Sequence, residues 1–231
     1  LAGWPCDMSP IIKYAKKNKL LIIEDCAQAH GASYNGKKVG SFGDAAAFSF
    51  CQDKIMTTAG EGGIVLFKRK KDWSKAWSLK DHGKNYSKVY AKNQSSGFKW
   101  LVDSFGSNYR MTEIQAAIGR YQLSRLDYWI KIRNRNSKIL DACFKNIPII
   151  REITIPKNIV HARYKYYAYI DTSKLKKGVT RDSIMNEFNK KGIPCFSGSC
   201  SEIYLEDAFK NKGYIYKKRH KIAKKLGETS I

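Results

Sequence analysis

Three short apolar runs constrain what this chain can fold into: Leu20 to Ile23, Ala45 to Phe48 and Ile64 to Phe67. Each is too short for a helix and has the length of a strand inside a sheet. Polar or glycine-rich residues bound all three, with Glu24-Asp25 after the first, Gly31 to Gly43 before the second, and Gly60-Glu-Gly-Gly63 before the third. A continuous apolar run marks a strand covered on both faces, as in a parallel sheet. The first run therefore predicts a buried strand ending at a polar rim, with Asp25 at its carboxyl end. Open α/β sheets bind ligands at that edge, so an acid there is a candidate for chemistry. No apolar run approaches the ~18 residues that a membrane helix needs, and no membrane insertion is expected.

The remaining pattern completes an α/β reading. Ser9 as N-cap and Pro10 at the first helical position predict a helix to Lys19. Further helices are expected over Asp72 to Asp81 and from a capping Thr112 to about Phe144. Between them, residues 83–107 form a polar loop of a length usually reserved for function or subunit contact. Beyond Pro148 the style changes, to an aromatic strand at Tyr166 to Ile170 and helices at Thr180 to Lys190 and Tyr216 to Leu226. The expected organisation is a large α/β domain over residues 1–145 and a smaller α+β domain over residues 146–231.

Composition limits the function classes. The chain has 231 residues, with 43 Lys and Arg against 20 Asp and Glu, a net charge of +23. With 27% charged and 13% aromatic residues it is neither disordered nor fibrous. The charge first points to nucleic acid, yet the lysines fall in short groups such as Lys16-Lys17, Lys176-Lys177 and Lys224-Lys225, beside apolar residues that face a core. No zinc-finger spacing or RNP-type motif accompanies them, so an anionic small substrate explains the excess better than nucleic acid. The six cysteines are irregularly spaced, without C-x-x-C or metal-ligand spacing, and no secretory signal precedes them. Reduced thiols in a cytoplasmic protein are expected, and the glycosylation sequons at Asn85 and Asn93 then carry no weight.

Lys54 lies in a turn between two apolar strands, beside small and hydroxyl residues. A partly desolvated lysine loses some preference for the ammonium form and becomes a nucleophile toward carbonyls. Asp25, at an adjacent strand end, suits the opposite duty of keeping a heterocyclic nitrogen protonated. That pairing is what pyridoxal phosphate chemistry requires. Singly, each feature is ordinary, since a lysine after a strand is commonly a surface residue and a strand-end aspartate commonly a helix cap.

Together they carry a resemblance. The blocks Glu24-Asp-Cys-Ala-Gln-Ala-His-Gly31, Gly40-Ser-Phe-Gly-Asp44, Phe48-Ser-Phe50 up to Lys54, Gly60-Glu-Gly-Gly63 and Asn108-Tyr-Arg-Met111 resemble the DegT/DnrJ/EryC1/StrS sugar aminotransferases. These are fold type I pyridoxal phosphate enzymes, and the likeness extends through Gly192-Ile-Pro194 in the second domain. It implies a three-layer large domain with a mostly parallel sheet. Family members have further segments before the position of Leu1 and after that of Ile231, so the chain is expected to be a fragment, inactive alone.

The resemblance implies residue roles. Lys54 is the lysine that carries the cofactor and, when released, moves the proton; Asp25 is the partner of the pyridine nitrogen. Gln28 matches the side chain at the cofactor's phenolic O3′, and Ser49 the hydroxyl that binds its phosphate. Asn108 matches the residue that reaches the phosphate in a neighbouring subunit's site, implying a homodimer with shared sites. Tyr109 and Arg110 lie near it as substrate contacts, Arg110 fitting a donor carboxylate or a diphosphate. Lys-Asp-His82-Gly83 departs from the family's Arg-x-His-Gly, which leaves His82 without a role. Related dehydratases carry histidine where Lys54 stands, so lysine implies transamination. The expected activity is amination of a nucleotide-linked keto-sugar by glutamate or glutamine. A keto-cyclitol aminotransferase, a non-catalytic regulatory homologue and a basic nucleic-acid-binding protein are the alternatives.

Overall fold

A computed structural model describes residues 1–92, 96–151, 153–214, 216 and 218–231; the sequon at Asn93 lies outside them. Residues 1–134 with 156–164 form one compact unit, and residues 135–155 with 165–231 a second.

The first unit opens with α1 (Met8–Lys17). Ser9 sits inside its first turn instead of capping it, because its hydroxyl is hydrogen-bonded to the Tyr34 hydroxyl at 2.9 Å. Asp7 holds the cap position, and its carboxylate accepts from the same Tyr34 hydroxyl at 2.6 Å. The apolar run after the helix is not a strand buried on both faces. Leu20, Leu21 and Ile23 are 53%, 65% and 77% exposed. The helix ends through Lys19 in the left-handed region (φ +54°), so residues 20–22 serve as the connection. Strand β1 (Ile23–Asp25) begins where the run ends.

β1 pairs in parallel with β4 (Ala45–Ser49), from Ile23↔Ala45 to Asp25↔Ala47. β4 pairs antiparallel with β5 (Gly63–Phe67), from Ala45↔Phe67 to Ser49↔Gly63. The sheet β1-β4-β5 thus holds one parallel and one antiparallel pairing where a mostly parallel sheet is expected. A parallel neighbour needs a long crossover, usually helical, whereas residues 50–62 contain no helix and turn straight back.

Between β1 and β4 the glycine-rich stretch makes a hairpin of β2 (Ser33–Tyr34) and β3 (Lys37–Lys38). Its turn, Asn35-Gly36, has φ of +48° and +73°, the left-handed pair that a two-residue hairpin favours. β7 (Ile159–Val160) adds to β2, giving an antiparallel sheet β3-β2-β7.

α2 (Lys70–Lys80) follows β5, and a short α3 (Tyr86–Val89) lies within the expected 83–107 loop. Asn85 caps α3 through Lys88 N–H, and its amide donates to Asp103 at 2.6 Å. α4 (Glu113–Phe144) starts from a reciprocal cap: Thr112 Oγ1 accepts from Gln115 N–H at 3.3 Å, while Gln115 Oε1 accepts from Thr112 N–H at 3.1 Å. Ala32, Ile55, Ile130, Ala162 and Tyr164 form the buried core.

In the second unit, β6 (Ile150–Arg151) pairs antiparallel with β8 (Tyr169–Ile170), the ordered end of the expected aromatic strand. α5 (Arg181–Lys190) carries a Thr180–Ser183 capping box and is followed by α6 (Asp207–Lys210). The last helix, α7 (Lys221–Thr229), begins later than Tyr216; Lys217 lies outside the described residues. The architecture is mixed α/β with small sheets. Among the described residues, no helix is long and apolar enough to cross a membrane.

Candidate active site

Parallel pairing gives β1 and β4 a common carboxyl edge, which carries Asp25 at one strand end and Ser49 at the other. Asp25 is exposed there, and its Oδ1 accepts the Ala27 N–H at 3.0 Å, fixing the turn that follows. Ser49 Oγ accepts from Cys51 N–H at 3.2 Å. The Gln28 carboxamide oxygen accepts the Ala2 N–H at 2.6 Å, which turns its NH2 group away from Ala2.

Glu24, by contrast, is buried in β1 as a structural acid. Its Oε2 accepts from Gly40 N–H, and its Oε1 from Phe42 and Gly43 N–H, all at 2.7 Å. Asp44 braces the same region through Ile22 N–H at 3.0 Å. Two of the sequence blocks are therefore a single contact: the acid of one organises the glycine turn of the other.

Lys54 leaves the edge in the turn after β4, with its side chain 16% exposed. Its Nζ donates to Asp53 Oδ1 at 3.0 Å and to the Tyr164 hydroxyl at 3.3 Å, and the Tyr164 hydroxyl in turn donates to Asp53 Oδ2. The physical expectation of a lysine pushed toward the neutral amine is corrected here. The Asp53 hydrogen bond raises the Lys54 pKa, outweighing burial, which acts the other way. The Asp53 carboxyl is lowered to about 2, first by the Tyr164 hydroxyl and then by Lys54. Sequence reasoning assigned nothing to Asp53 or Tyr164. The first adjoins Lys54 and could have been weighed as its counter-ion, whereas the second lies 110 residues away and leaves no local signal.

His30 is 2% exposed and packs against Phe48 and Phe50, with ring centroids 5.4 and 6.0 Å away. Among the described residues neither ring nitrogen has a hydrogen-bond partner, and burial lowers its pKa. It lines an apolar cavity of about 540 Å³ with Phe48, Phe50, Met56, Met111 and Leu126, which Asp25, Ser49 and Lys54 do not line.

Asn108, Tyr109 and Arg110 gather at the end of α2. Asn108 bridges to Asp81, Tyr109 N–H donates to the Lys80 carbonyl at 3.0 Å, and Arg110 Nε donates to Asn108 Oδ1 at 3.1 Å and lies 3.6 Å from Asp81 Oδ1. Tyr109 is 73% exposed. Among the described residues, no hydrogen bond or ion pair joins these three to Asp25, Gln28, Ser49 or Lys54.

Comparison with known proteins gives this edge its context. The chain superposes on an aminotransferase from Psychrobacter cryohalolentis with a TM-score of 0.91 and 50% identity, covering 100% of this chain and 60% of that one. A GDP-perosamine synthase of Caulobacter vibrioides is 37% identical over 195 residues, which is 84% of this chain and 48% of the relative. The L-glutamine:2-deoxy-scyllo-inosose aminotransferase of Streptomyces kanamyceticus is 32% identical over 174 residues, 73% of this chain and 39% of the relative. The chain thus spans half or less of the length of these curated relatives. A family model matches residues 1–230, taking in both strand ends, the lysine turn and the segment before α4; the chain belongs to the DegT/DnrJ/EryC1/StrS aminotransferase family.

Proposed function

We propose that this chain forms the cofactor-binding part of a pyridoxal phosphate-dependent aminotransferase that aminates a nucleotide-linked keto-sugar with glutamate or glutamine as donor. One observation carries the reading: in a chain of this family, a carboxylate, a hydroxyl and a lysine-bearing turn emerge from the common carboxyl edge of two parallel strands. The donor set fits the cofactor, since a carboxylate accepts from a ring N–H, a hydroxyl donates to a phosphate and a primary amine adds to a carbonyl. When bound, pyridoxal phosphate supplies an electrophilic carbonyl and a ring that accepts the electrons of a substrate C–H bond.

The residues then divide the work. Lys54 is the residue that would hold the cofactor, its Nζ bonding the carbonyl carbon with loss of water, and once released the same amine would be the base that holds the moving proton. Asp25 keeps the pyridine nitrogen protonated by accepting its N–H. Gln28 presents its NH2 group to the phenolic oxygen, and Ser49 donates to the phosphate. Asn108 serves the phosphate of a neighbouring subunit's site, so a homodimer with shared sites belongs to this reading. Tyr109 and Arg110 contact the substrate, where the guanidinium fork fits a carboxylate or a diphosphate. A lysine-rich surface at net charge +23 favours the approach of an anionic sugar nucleotide.

A keto-cyclitol acceptor is the second reading, favoured by the likeness to the inosose aminotransferase. The GDP-perosamine synthase likeness spans more of the chain and supports the nucleotide sugar as the first reading. A non-catalytic homologue would have no use for Lys54 and Asp25 together. The test is absorbance of the full-length protein that contains this chain, mixed with pyridoxal phosphate. A visible band is expected in the wild type and not in Lys54→Ala, bleaching with glutamate or glutamine and returning with the accepted keto-sugar nucleotide. A wild type without the band refutes the reading, and a variant that keeps it reassigns the lysine.

A further inference from the structure

The hydrogen bonds around Lys54 close on themselves. Nζ donates to Asp53 Oδ1 and to the Tyr164 hydroxyl, and that hydroxyl donates to Asp53 Oδ2. Each of the three groups has two links within the ring, so none can swing aside without breaking both. Nζ also lies 5.1 Å from the centroid of the Tyr164 ring, a favourable place for a cation.

Tyr164 is held firmly enough to act as a fixed post. It is 7% exposed and packs with Ala32, Ile55, Ile130 and Ala162. Its N–H donates to the Ala2 carbonyl at 3.1 Å, and Arg133 Nη1 donates to the Arg163 and Tyr164 carbonyls at 3.0 and 3.4 Å. Arg163 itself is in the left-handed region at φ +53°. A non-glycine residue persists there only when its surroundings over-determine it, and here they fix where the next residue points.

We propose that Asp53 and Tyr164 are positioning residues for the Lys54 amine: they hold its nitrogen in one place and keep it protonated, and so set the pH above which it captures pyridoxal phosphate. This rests on the reading of Lys54 as the cofactor lysine. Among the described residues, His30 on the loop after β1 also feels the charge of this amine, while the Cys51 thiol in the same turn faces Asp53 and Glu61. His30 is buried, with its pKa lowered by that burial, and the Cys51 thiol donates to Glu61 at 3.3 Å; Asp53 is the carboxylate bonded to the amine.

The test begins on the full-length protein that contains this chain, without cofactor. Competitive acetylation with acetic anhydride, read peptide by peptide by mass spectrometry, gives the pH curve of each lysine. Asp53→Asn keeps an acceptor for Nζ but removes the charge, and Tyr164→Phe keeps the packing and the ring face but removes the hydroxyl. At pH 8 we expect Lys54 to label roughly threefold to tenfold faster in Asp53→Asn than in the wild type, with a smaller gain in Tyr164→Phe and exposed lysines such as Lys75 unchanged. The pH midpoint for capture of pyridoxal phosphate, followed by visible absorbance, moves down in the same order. A purely structural role would change neither curve. The proposal is overturned if natively folded variants, checked by circular dichroism, label Lys54 along the wild-type curve. Displaced labelling in a protein that captures no pyridoxal phosphate supports the positioning of the amine while refuting the cofactor role, which keeps the two failures apart.

Discussion

Glu24→Gln tests how the candidate site's edge is built. The carboxylate is 8% exposed in β1 and takes three backbone N–H groups at 2.7 Å, Gly40 on Oε2 and Phe42 and Gly43 on Oε1. Glutamine can keep an oxygen at the Oε1 position, and with it two bonds, but it turns an NH2 group toward the Gly40 N–H. A donor then faces a donor, and the two surviving bonds lose their charge assistance. Hydrogen bonds to a charged group contribute about 1.5–3 kcal/mol and a stranded buried donor costs about 1–3 kcal/mol, so a loss of about 2–3 kcal/mol is expected. Glu24→Ala strands all three donors and leaves a void, for about 3–5 kcal/mol. Urea unfolding reads the global cost, and hydrogen exchange reads the local one. The Gly40, Phe42 and Gly43 amides should exchange roughly 30- to 150-fold faster in Glu24→Gln, the rate equivalent of that energy at 1.36 kcal/mol per tenfold. Exchange within twofold of the wild type, with an unchanged urea midpoint, would show that the carboxylate does not organise this turn.

Two further outcomes follow from buried groups. His161 is 6% exposed, its Nδ1 accepts the Arg163 N–H at 2.8 Å, and burial, with Arg163 nearby, lowers its pKa to about 4. Between pH 6.5 and 4 the unfolded chain binds a proton that the folded chain refuses, so stability is full above that window and falls through it, by up to about 3 kcal/mol. Urea midpoints measured from pH 7.5 to 4.5 should slope less in His161→Gln than in the wild type, and equal slopes would exclude His161 as the source. Gly31→Ala places a Cβ 2.6 Å from Ile130 Cγ1 at φ +79°, adding overpacking to backbone strain for about 2–4 kcal/mol, whereas Gly36→Ala, at φ +73° with open space around it, meets only the strain, about 1–2 kcal/mol. Thermal unfolding that ranks the two substitutions equal would refute the packing argument.

What was legible in the sequence was local in origin. Thr112 and Thr180 announce their helices because a cap is a contact across three residues, and both helices begin one residue later. Ala45 to Ser49 and Gly63 to Phe67 are strands where their runs place them. The first run misled because apolar residues show what a strand can bury, not which residues carry its hydrogen bonds; β1 instead takes in Glu24 and Asp25. The Asn35-Gly36 hairpin carried a readable turn signal inside a stretch that reads as mere glycine punctuation. Of the aromatic run before Ile170, Tyr169 and Ile170 are the strand residues, paired with Arg151 and Ile150.

Neighbouring charged residues show why chemistry was harder to read than fold. Glu24 and Asp25 look alike in sequence, yet strand geometry sends successive side chains to opposite faces. Glu24 turns inward and is used up by three backbone donors, while Asp25, one step on, is exposed at the carboxyl edge. Asp53 and Lys54 are adjacent in a turn, where no such alternation holds, and their side chains meet instead of parting. Adjacency therefore separates one pair and joins the other, and only the backbone between them decides which. The partner that fixes the second pair, Tyr164, lies 110 residues downstream of Lys54 and is set by the left-handed residue before it and by the Arg133 clamp. Lys54 and the acid beside it stand together in the sequence, but the phenol bonded to both comes from 110 residues away and meets them only when the chain folds back on itself.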